Sequence, residues 1–363
     1  MTDTRDISAR PNAPCTAHEM HGHAPAGSSD TWIFNIEAVS TLCIAGWYLY
    51  GVFISLGLLP NVAFYHWGST WVVPFLLGIF YAGAGYLYQQ HQRIHSVAAW
   101  GHYMKREFIV LATPFVAFTV LVLATNSIVH GTPSLSIPNL ASALTLDPVV
   151  PVGYFEVLFF IYVLTRTPQS MRGMIGLLAV ACAAKIAIAL CNGAGISTSW
   201  IYAAREIPEN WIWFVCGVAI RFFGLKRWLA RPRVGLGSTL AFAGCALLLY
   251  AARSTHPLAL CVLTALALCA AFSLSAERFS SGRQDAFFGF VTRYTMAIWL
   301  MHELLAKLVM AGLGVLGFTN SAVLGAACLI ACYGLPIVAM GALSHIGKLG
   351  FIVYPSRYLP KSL

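Results

Sequence analysis

Ionisable side chains inside long apolar stretches are the residues of this sequence best suited to chemistry. They are Glu37, Glu156, Lys185, Arg221, Arg293, His302, Glu303 and Lys307. An ionisable group in a segment that crosses a lipid bilayer is costly, so it marks either a functional site or an ion pair between helices. We expect such pairing for Lys185 and Lys307.

His302 lies in the middle of the stretch RYTMAIWLMHELLAKL, residues 293–308. Imidazole titrates closest to neutral pH, so His302 is a candidate for accepting and donating a proton, although it could also only bond a neighbouring helix. Arg293 precedes it by about 2.5 helical turns and is expected on nearly the opposite face. The adjacent Glu303 is also expected to point in a different direction.

Arg106 follows Lys105 in the segment GHYMKREF, residues 101–108, which reads as a loop before an apolar run. A guanidinium at the lipid boundary can anchor the chain there. It can equally hold the phosphates of a coenzyme through its two-pronged geometry. Charge alone leaves both roles open.

The composition shows what surrounds these residues. Hydrophobic residues make up 58% of the chain and charged residues 10%, with a mean hydropathy of +0.73. This leaves too little polar surface for a water-soluble protein, so the surroundings are lipid. The apolar runs lack a period of two, which favours helices over barrel strands. We predict an all-α integral membrane protein with about ten transmembrane helices, at 33–56, 71–88, 108–130, 149–165, 173–191, 210–225, 234–252, 257–274, 286–313 and 319–345.

Basic residues in the short connections predict the orientation. Alternate loops carry Arg93, Lys105, Arg106, Arg166, Arg172, Lys226, Arg227, Arg231, Arg233, Arg278 and Arg283, whereas the intervening loops carry Arg205 and Arg253. The first set should therefore face the cytoplasm, together with both termini. The net charge of +9 is explained by this bias and by attraction to the membrane surface, so it does not indicate a nucleic-acid partner.

We expect the chain to divide into a disordered polar cytoplasmic tail over 1–32, a transmembrane domain over 33–345 and a short cytoplasmic tail over 346–363. The first tail contains His18, His21 and His23, but no cysteine or carboxylate cluster completes a metal site. The ten cysteines lie almost entirely in apolar runs, where they act as small hydrophobic residues without a disulfide framework.

Five segments, in order, carry a family resemblance. They are WVVPFLLGIFYAGAGYLY at 71–88, YMKREFIVLATPF at 103–115, VGYFEVLFFIYVL at 152–164, WIWFVCGVAI at 211–220 and FFGFVTRYTMAIWLMHELL at 287–305. Together they resemble the integral-membrane acyltransferase 3 family, in particular the branch that O-acetylates bacterial exopolysaccharides of the xanthan type.

The resemblance implies a bacterial inner-membrane enzyme that moves an acetyl group from acetyl-CoA to a sugar hydroxyl. The acceptor would be an exopolysaccharide or its lipid-linked oligosaccharide precursor, and polysaccharide assembly proteins would be possible contacts. No bound cofactor is implied. On this basis Arg106 and Lys105 would hold the coenzyme.

The base of this reaction would be His302 or Glu37. Arg221 or Arg293 would stabilise charge or pair with Glu37.

The sequence departs from this family where a histidine is expected late in the first span. The segment FNIEAVSTLCIAGWYLYG, residues 34–51, has Trp47 or Tyr48 at that place. The fourth-span motif likewise has Val152 and Tyr154 where the family has a histidine and a tryptophan. Two alternatives therefore stay open: a transporter or flippase of a glycan or acyl intermediate, and a non-catalytic scaffold. The absence of inverted repeats and paired broken helices favours the enzyme over the transporter.

Overall fold

A computed structural model of the protein describes residues 30–91, 97–131, 133–149, 151–196, 201–279, 286–346 and 349–359. Within these ranges the chain is all-helical and contains no strand. The helices are α1 (Thr31–Ser55), α2 (Ala63–Ser69), α3 (Val72–His91), α4 (Val97–His130), α5 (Ile137–Thr145), α6 (Gly153–Leu164), α7 (Met171–Gly193), α8 (Tyr202–Phe222), α9 (Lys226–Leu229), α10 (Pro232–Ala251), α11 (Pro257–Arg278), α12 (Ala286–Val315), α13 (Ser321–His345) and α14 (Gly350–Val353).

Helix ends follow local chemistry in the sequence. The Ser170 hydroxyl accepts from the Gly173 amide at 3.1 Å at the start of α7, and Asn320 caps the first amides of α13. Pro232 opens α10, where its missing amide hydrogen costs no helical bond. Gly224 has a φ of 64° between α8 and α9, a conformation that glycine adopts without steric cost.

Each predicted apolar run corresponds to a helix, and eight helices of the described chain are long and apolar enough to cross a membrane. The prediction of a helical multi-pass membrane protein is therefore confirmed. Two of the ten runs fall short of that criterion. Helix α6 has 12 residues, about 18 Å of helix against about 30 Å of hydrocarbon. Helix α8 carries the charged residues Arg205, Glu206 and Glu209 in its first eight residues, and these lower its mean hydropathy.

Three boundaries differ from those expected. Thr31 and Trp32 belong to α1 rather than to the tail, and the Trp32 side chain is completely buried. Helix α4 begins at Val97, so the segment with Lys105 and Arg106 is helical and is not a loop. After α13, Val353 and Tyr354 are buried against the bundle. Residues 1–29, with the tail histidines, lie outside the described residues, as do Arg93 and Arg283.

The loops that carry basic residues lie at one end of the bundle, where hydrogen bonds join the ends of several helices. At the start of α1, the Asp30 carboxylate accepts from the Tyr86 hydroxyl and from the Gln90 amide, both at 2.8 Å. The Ser275 hydroxyl donates to the Trp32 carbonyl at 2.6 Å. These contacts join the start of α1 to the ends of α3 and α11. We call this the basic end, and its described cations include Lys105, Arg106, Arg166, Arg172, Arg221, Lys226, Arg227, Arg231, Arg233 and Arg278.

Helices α3 and α8 make the closest contact between long helices. A Cβ atom at Gly217 would run into the Ala82 carbonyl oxygen, and one at Gly85 would run into the Phe214 carbonyl oxygen. Small residues allow such close approach where lipid gives no hydrophobic drive for helices to associate. This contact, which we call the α3–α8 seam, runs along the centre of the core.

Candidate functional site

A cavity of about 1000 Å³ lies in the half of the bundle opposite the basic end. Its walls come from the second half of α1, from α2, from the first half of α3 and from the end of α7. The starts of α6, α8 and α11 and the middle of α12 complete them. Its volume is in the range of sites that enclose small organic ligands. The cavity is therefore the candidate functional site.

Aromatic rings form much of the wall. They are Trp47, Tyr48, Tyr65, Tyr81, Tyr154, Tyr202, Trp213 and Trp299. The rings pack against one another. Tyr154 meets Trp299 edge to face with ring centroids 5.1 Å apart, and Trp47 stacks on Tyr65 with centroids 5.2 Å apart. Such contacts add to the apolar burial of each ring, so this wall has a defined shape.

His302 lines the cavity with a defined tautomer. Its Nδ1 lies 3.0 Å from the Ile298 carbonyl oxygen and 2.9 Å from that of Trp299. Carbonyl oxygens only accept hydrogen bonds, so Nδ1 carries the proton of the neutral ring. Nε2 is then the basic nitrogen, which is the arrangement that a general base requires.

Two neighbours border the cavity beside His302. The Tyr48 ring meets the His302 ring edge to face, with centroids 5.6 Å apart. Glu303 also lines the cavity and forms an ion pair at 2.7 Å with Lys307, which lies on the same helix, so Lys307 is paired but not with a neighbouring helix as expected. His302 and Glu303 both line the cavity, although consecutive helical residues point in different directions, as expected. Consecutive residues differ in direction by about 100°, and a wide cavity is reached from both.

Helices α7 and α8 supply further charged groups. Lys185 on α7 forms an ion pair with Glu209 on α8, which confirms the expected pairing of Lys185. Arg205 pairs with Glu206 at 2.8 Å, and the Asn210 side-chain amide donates to the same carboxylate at 3.0 Å. All five side chains line the cavity.

Arg205, Glu206 and Glu209 were missed as site residues because the sixth run was expected to start at 210. Helix α8 in fact begins at Tyr202. The polar pairs 205/209 and 206/210 are spaced by four residues, and that helical spacing ahead of an apolar run is the signal that could have identified them.

Glu37 does not line the cavity. Its side chain is buried beside Ile33 and Gly83, and its Oε1 has no hydrogen-bond partner. The described residues contain no ion pair between Glu37 and an arginine. Arg221 instead lies at the basic end, with Nη1 3.4 Å from the Tyr86 hydroxyl. The expected pairing of Glu37 with Arg221 or Arg293 is therefore wrong within the described chain.

Arg106 and Lys105 are far from the cavity. Arg106 is half-buried and Lys105 is exposed, near the basic end of α4. Further along α4, Thr125 borders a small gap that Glu303 also borders. The 19 residues from Arg106 to Thr125 span about 28 Å of helix. The structure thus does not bring the expected coenzyme residues to His302.

The described residues contain no group of three histidine, cysteine or acidic side chains that could hold a metal ion. The nine cysteines within them are all free thiols.

Comparison of the chain with protein-family models, with curated proteins and with solved structures found no match. The family resemblance of the five segments stays a prediction, and the candidate site rests on its own geometry.

Proposed function

We propose that this protein is a membrane O-acyltransferase that moves an acetyl group from acetyl-CoA to a sugar hydroxyl of an exopolysaccharide or its lipid-linked precursor. The observation that carries the proposal is His302, whose Nε2 is the basic nitrogen of a ring in the wall of a cavity of about 1000 Å³. Aromatic walls with a few polar groups suit a sugar, which presents both an apolar face and hydroxyls.

In the proposed reaction the acceptor hydroxyl attacks the thioester carbonyl carbon. A carbon–oxygen bond forms while His302 Nε2 takes the hydroxyl proton. The carbon–sulfur bond then breaks, and the imidazolium returns that proton to the leaving thiolate. Tyr48, edge to face with His302, is the proposed hydrogen-bond donor to the developing oxyanion. Tyr48 lies late in the first span, where the acyltransferase 3 family, which the sequence resembles, carries a histidine.

In this proposal the donor binds at the basic end. Arg106 and Lys105 would contact the phosphates of acetyl-CoA from the cytoplasm. Because about 28 Å of α4 separates Arg106 from the level of Glu303, the thioester arm would have to run inward between the helices. A role for Arg106 in donor binding therefore requires its own test, independent of His302.

The test of the function is acetyl transfer by membranes that contain the protein. Membranes with the parent chain, labelled acetyl-CoA and host glycan should incorporate label into O-acetyl groups, and His302→Gln should lower the rate by about 10²-fold. His345→Gln is the matched control. The His345 ring makes the same bond to a carbonyl four residues earlier, at 2.7 Å, but it does not line the cavity. If the His302 variant labelled glycan as well as the parent, His302 would have no part in the mechanism. No labelling by the parent would refute the proposed acyltransferase activity.

A transporter or flippase is the second candidate, and the distance between Arg106 and the cavity favours it. A cavity confined to one half of a bundle is also what a substrate site with alternating access presents from one side. Glycan uptake or flipping in vesicles that lack acetyl-CoA would support the transporter. Dependence of glycan labelling on His302 would exclude both the transporter and the non-catalytic scaffold.

We propose that the basic end faces the cytoplasm, with both termini on that side, because of the loop charges. Reporter fusions after residues 168 and 224 should behave as cytoplasmic, and fusions after residues 60, 254 and 318 as external. The reverse pattern would place the cavity on the cytoplasmic side.

A further inference from the structure

The charged groups of the cavity form ion pairs among themselves. The Lys185 ammonium contacts the Glu209 carboxylate, which also accepts from the Asn192 amide at 3.3 Å. The Arg205 guanidinium contacts the Glu206 carboxylate at 2.8 Å. Among the described residues that line the cavity, Lys185 and Arg205 are the cations, and each one already has a carboxylate partner.

The third carboxylate of the wall is paired as well. Glu303 lines the cavity, whereas its partner Lys307 borders only the small gap beside α4. Glu206, Glu209 and Glu303, the carboxylates of the described lining, thus each contact a cation, and the wall carries little net charge. An anion that entered would find each lining cation already engaged by a carboxylate, and to bind it would have to displace that partner.

Hydrogen-bonding groups and rings still remain for an uncharged ligand. Glu206 and Asn210 lie on the same wall as Trp213, whose ring is 5.8 Å from the Lys185 ammonium. Carboxylate and amide oxygens accept from hydroxyl groups, and indole rings pack against the apolar face of a sugar. These groups together recognise polarity without requiring ligand charge.

From this pairing we infer that the cavity accepts an uncharged sugar ring and excludes uronic acids and sugar phosphates. The inference rests on the proposed function for the identification of the cavity as the acceptor site. It also specifies that function: the acetylated residue is a neutral sugar, and the diphosphate of a lipid-linked precursor stays outside the cavity.

The test is direct binding by the purified full chain in detergent, without acetyl-CoA. Methyl glycosides of glucose, galactose and mannose are compared by calorimetry, each with its uronic acid counterpart. At least one neutral glycoside should bind, with a dissociation constant at least about tenfold below that of its uronate. Equal or tighter binding of the uronates would overturn the inference, and so would no binding by any of the six probes.

A variant that changes charge but not size tests whether the preference for neutral ligands comes from ion pairing or from the shape of the cavity. Glu209→Gln keeps the size of the side chain and its contact with Asn192, but it leaves the Lys185 ammonium without its carboxylate partner. Its preference for the neutral glycoside over the uronate should fall to about threefold or less. Glu277→Gln, at the basic end of α11, makes the same chemical change outside the cavity and should keep the preference of the parent. An unchanged preference in Glu209→Gln would overturn the pairing argument.

These results are independent of the proposed enzyme activity. Neutral glycosides that bind as expected but never receive label would refute the acyltransferase and leave the inference standing. Label that appears on uronic acid residues would refute the inference and leave the acyltransferase standing.

Discussion

The two ends of the bundle differ in whether their basic side chains are paired with carboxylates or exposed. In the cavity half, Lys185 and Arg205 each contact a carboxylate on α8. At the basic end, Arg172, Arg227 and Arg233 are exposed at the surface. Paired charges give a cavity polar character with little net charge, whereas exposed arginines attract anionic lipids and phosphates. One molecule thus combines a surface for anions with a cavity that disfavours them, and the experiments below test whether this division is functional.

The largest effect is expected at the α3–α8 seam, which packs together two helices that both run from the cavity half to the basic end. Gly217→Val would place two methyl groups against the Ala82 carbonyl oxygen, so we expect a loss of about 3 kcal/mol or more and little folded protein. Size-exclusion chromatography of the detergent-solubilised protein measures this loss.

Gly244→Val on α10 is the control for that variant, because nothing lies within 4 Å of a Cβ there. It should change stability by no more than about 0.5 kcal/mol. A folded, monodisperse Gly217 variant would contradict the close contact of α3 with α8.

The next effect concerns the cavity half alone. Tyr48→Phe keeps the ring that meets His302 but removes the hydroxyl, so a donor to the oxyanion is lost while sugar packing is retained. We expect kcat to fall by about 10- to 100-fold at an unchanged acceptor KM.

Tyr65→Phe is the control, since Tyr65 lines the same cavity but stacks on Trp47. Its kcat should stay within about threefold of the parent value. If both variants raised the acceptor KM and left kcat unchanged, Tyr48 would bind sugar and take no part in stabilising the transition state.

The division between the two halves could be predicted from the sequence only in part. Apolar runs predicted the helices, because in lipid the backbone must form its hydrogen bonds within each segment. The partners of the polar side chains could not be predicted. Asp30 bonds Tyr86, and Lys185 finds Glu209 on the next helix. These contacts depend on helix rotation and depth, which hydropathy does not encode.

His302 shows the same limit within the candidate site. Its position in an apolar run made it a candidate base, but its tautomer depends on the local geometry of two backbone carbonyls. Glu37 was an equal candidate on sequence grounds. The structure separates them, because His302 lines the cavity and Glu37 faces Gly83 on α3.

The smallest expected effect lies at the basic end, where Arg106→Lys keeps the charge and changes only its geometry. Lysine lacks the fork that contacts two phosphate oxygens, so the KM for acetyl-CoA should rise by about fivefold with kcat unchanged. Arg172→Lys makes the same chemical change at an exposed arginine of the basic end and should leave that KM within about twofold. Steady-state labelling over a range of donor concentrations measures both constants. An unchanged donor KM in Arg106→Lys would make this arginine an interfacial anchor and leave the coenzyme without a site at the start of α4. A fall in kcat instead would mean that α4 transmits a change over about 28 Å to the cavity, and the two halves would then not be functionally separate.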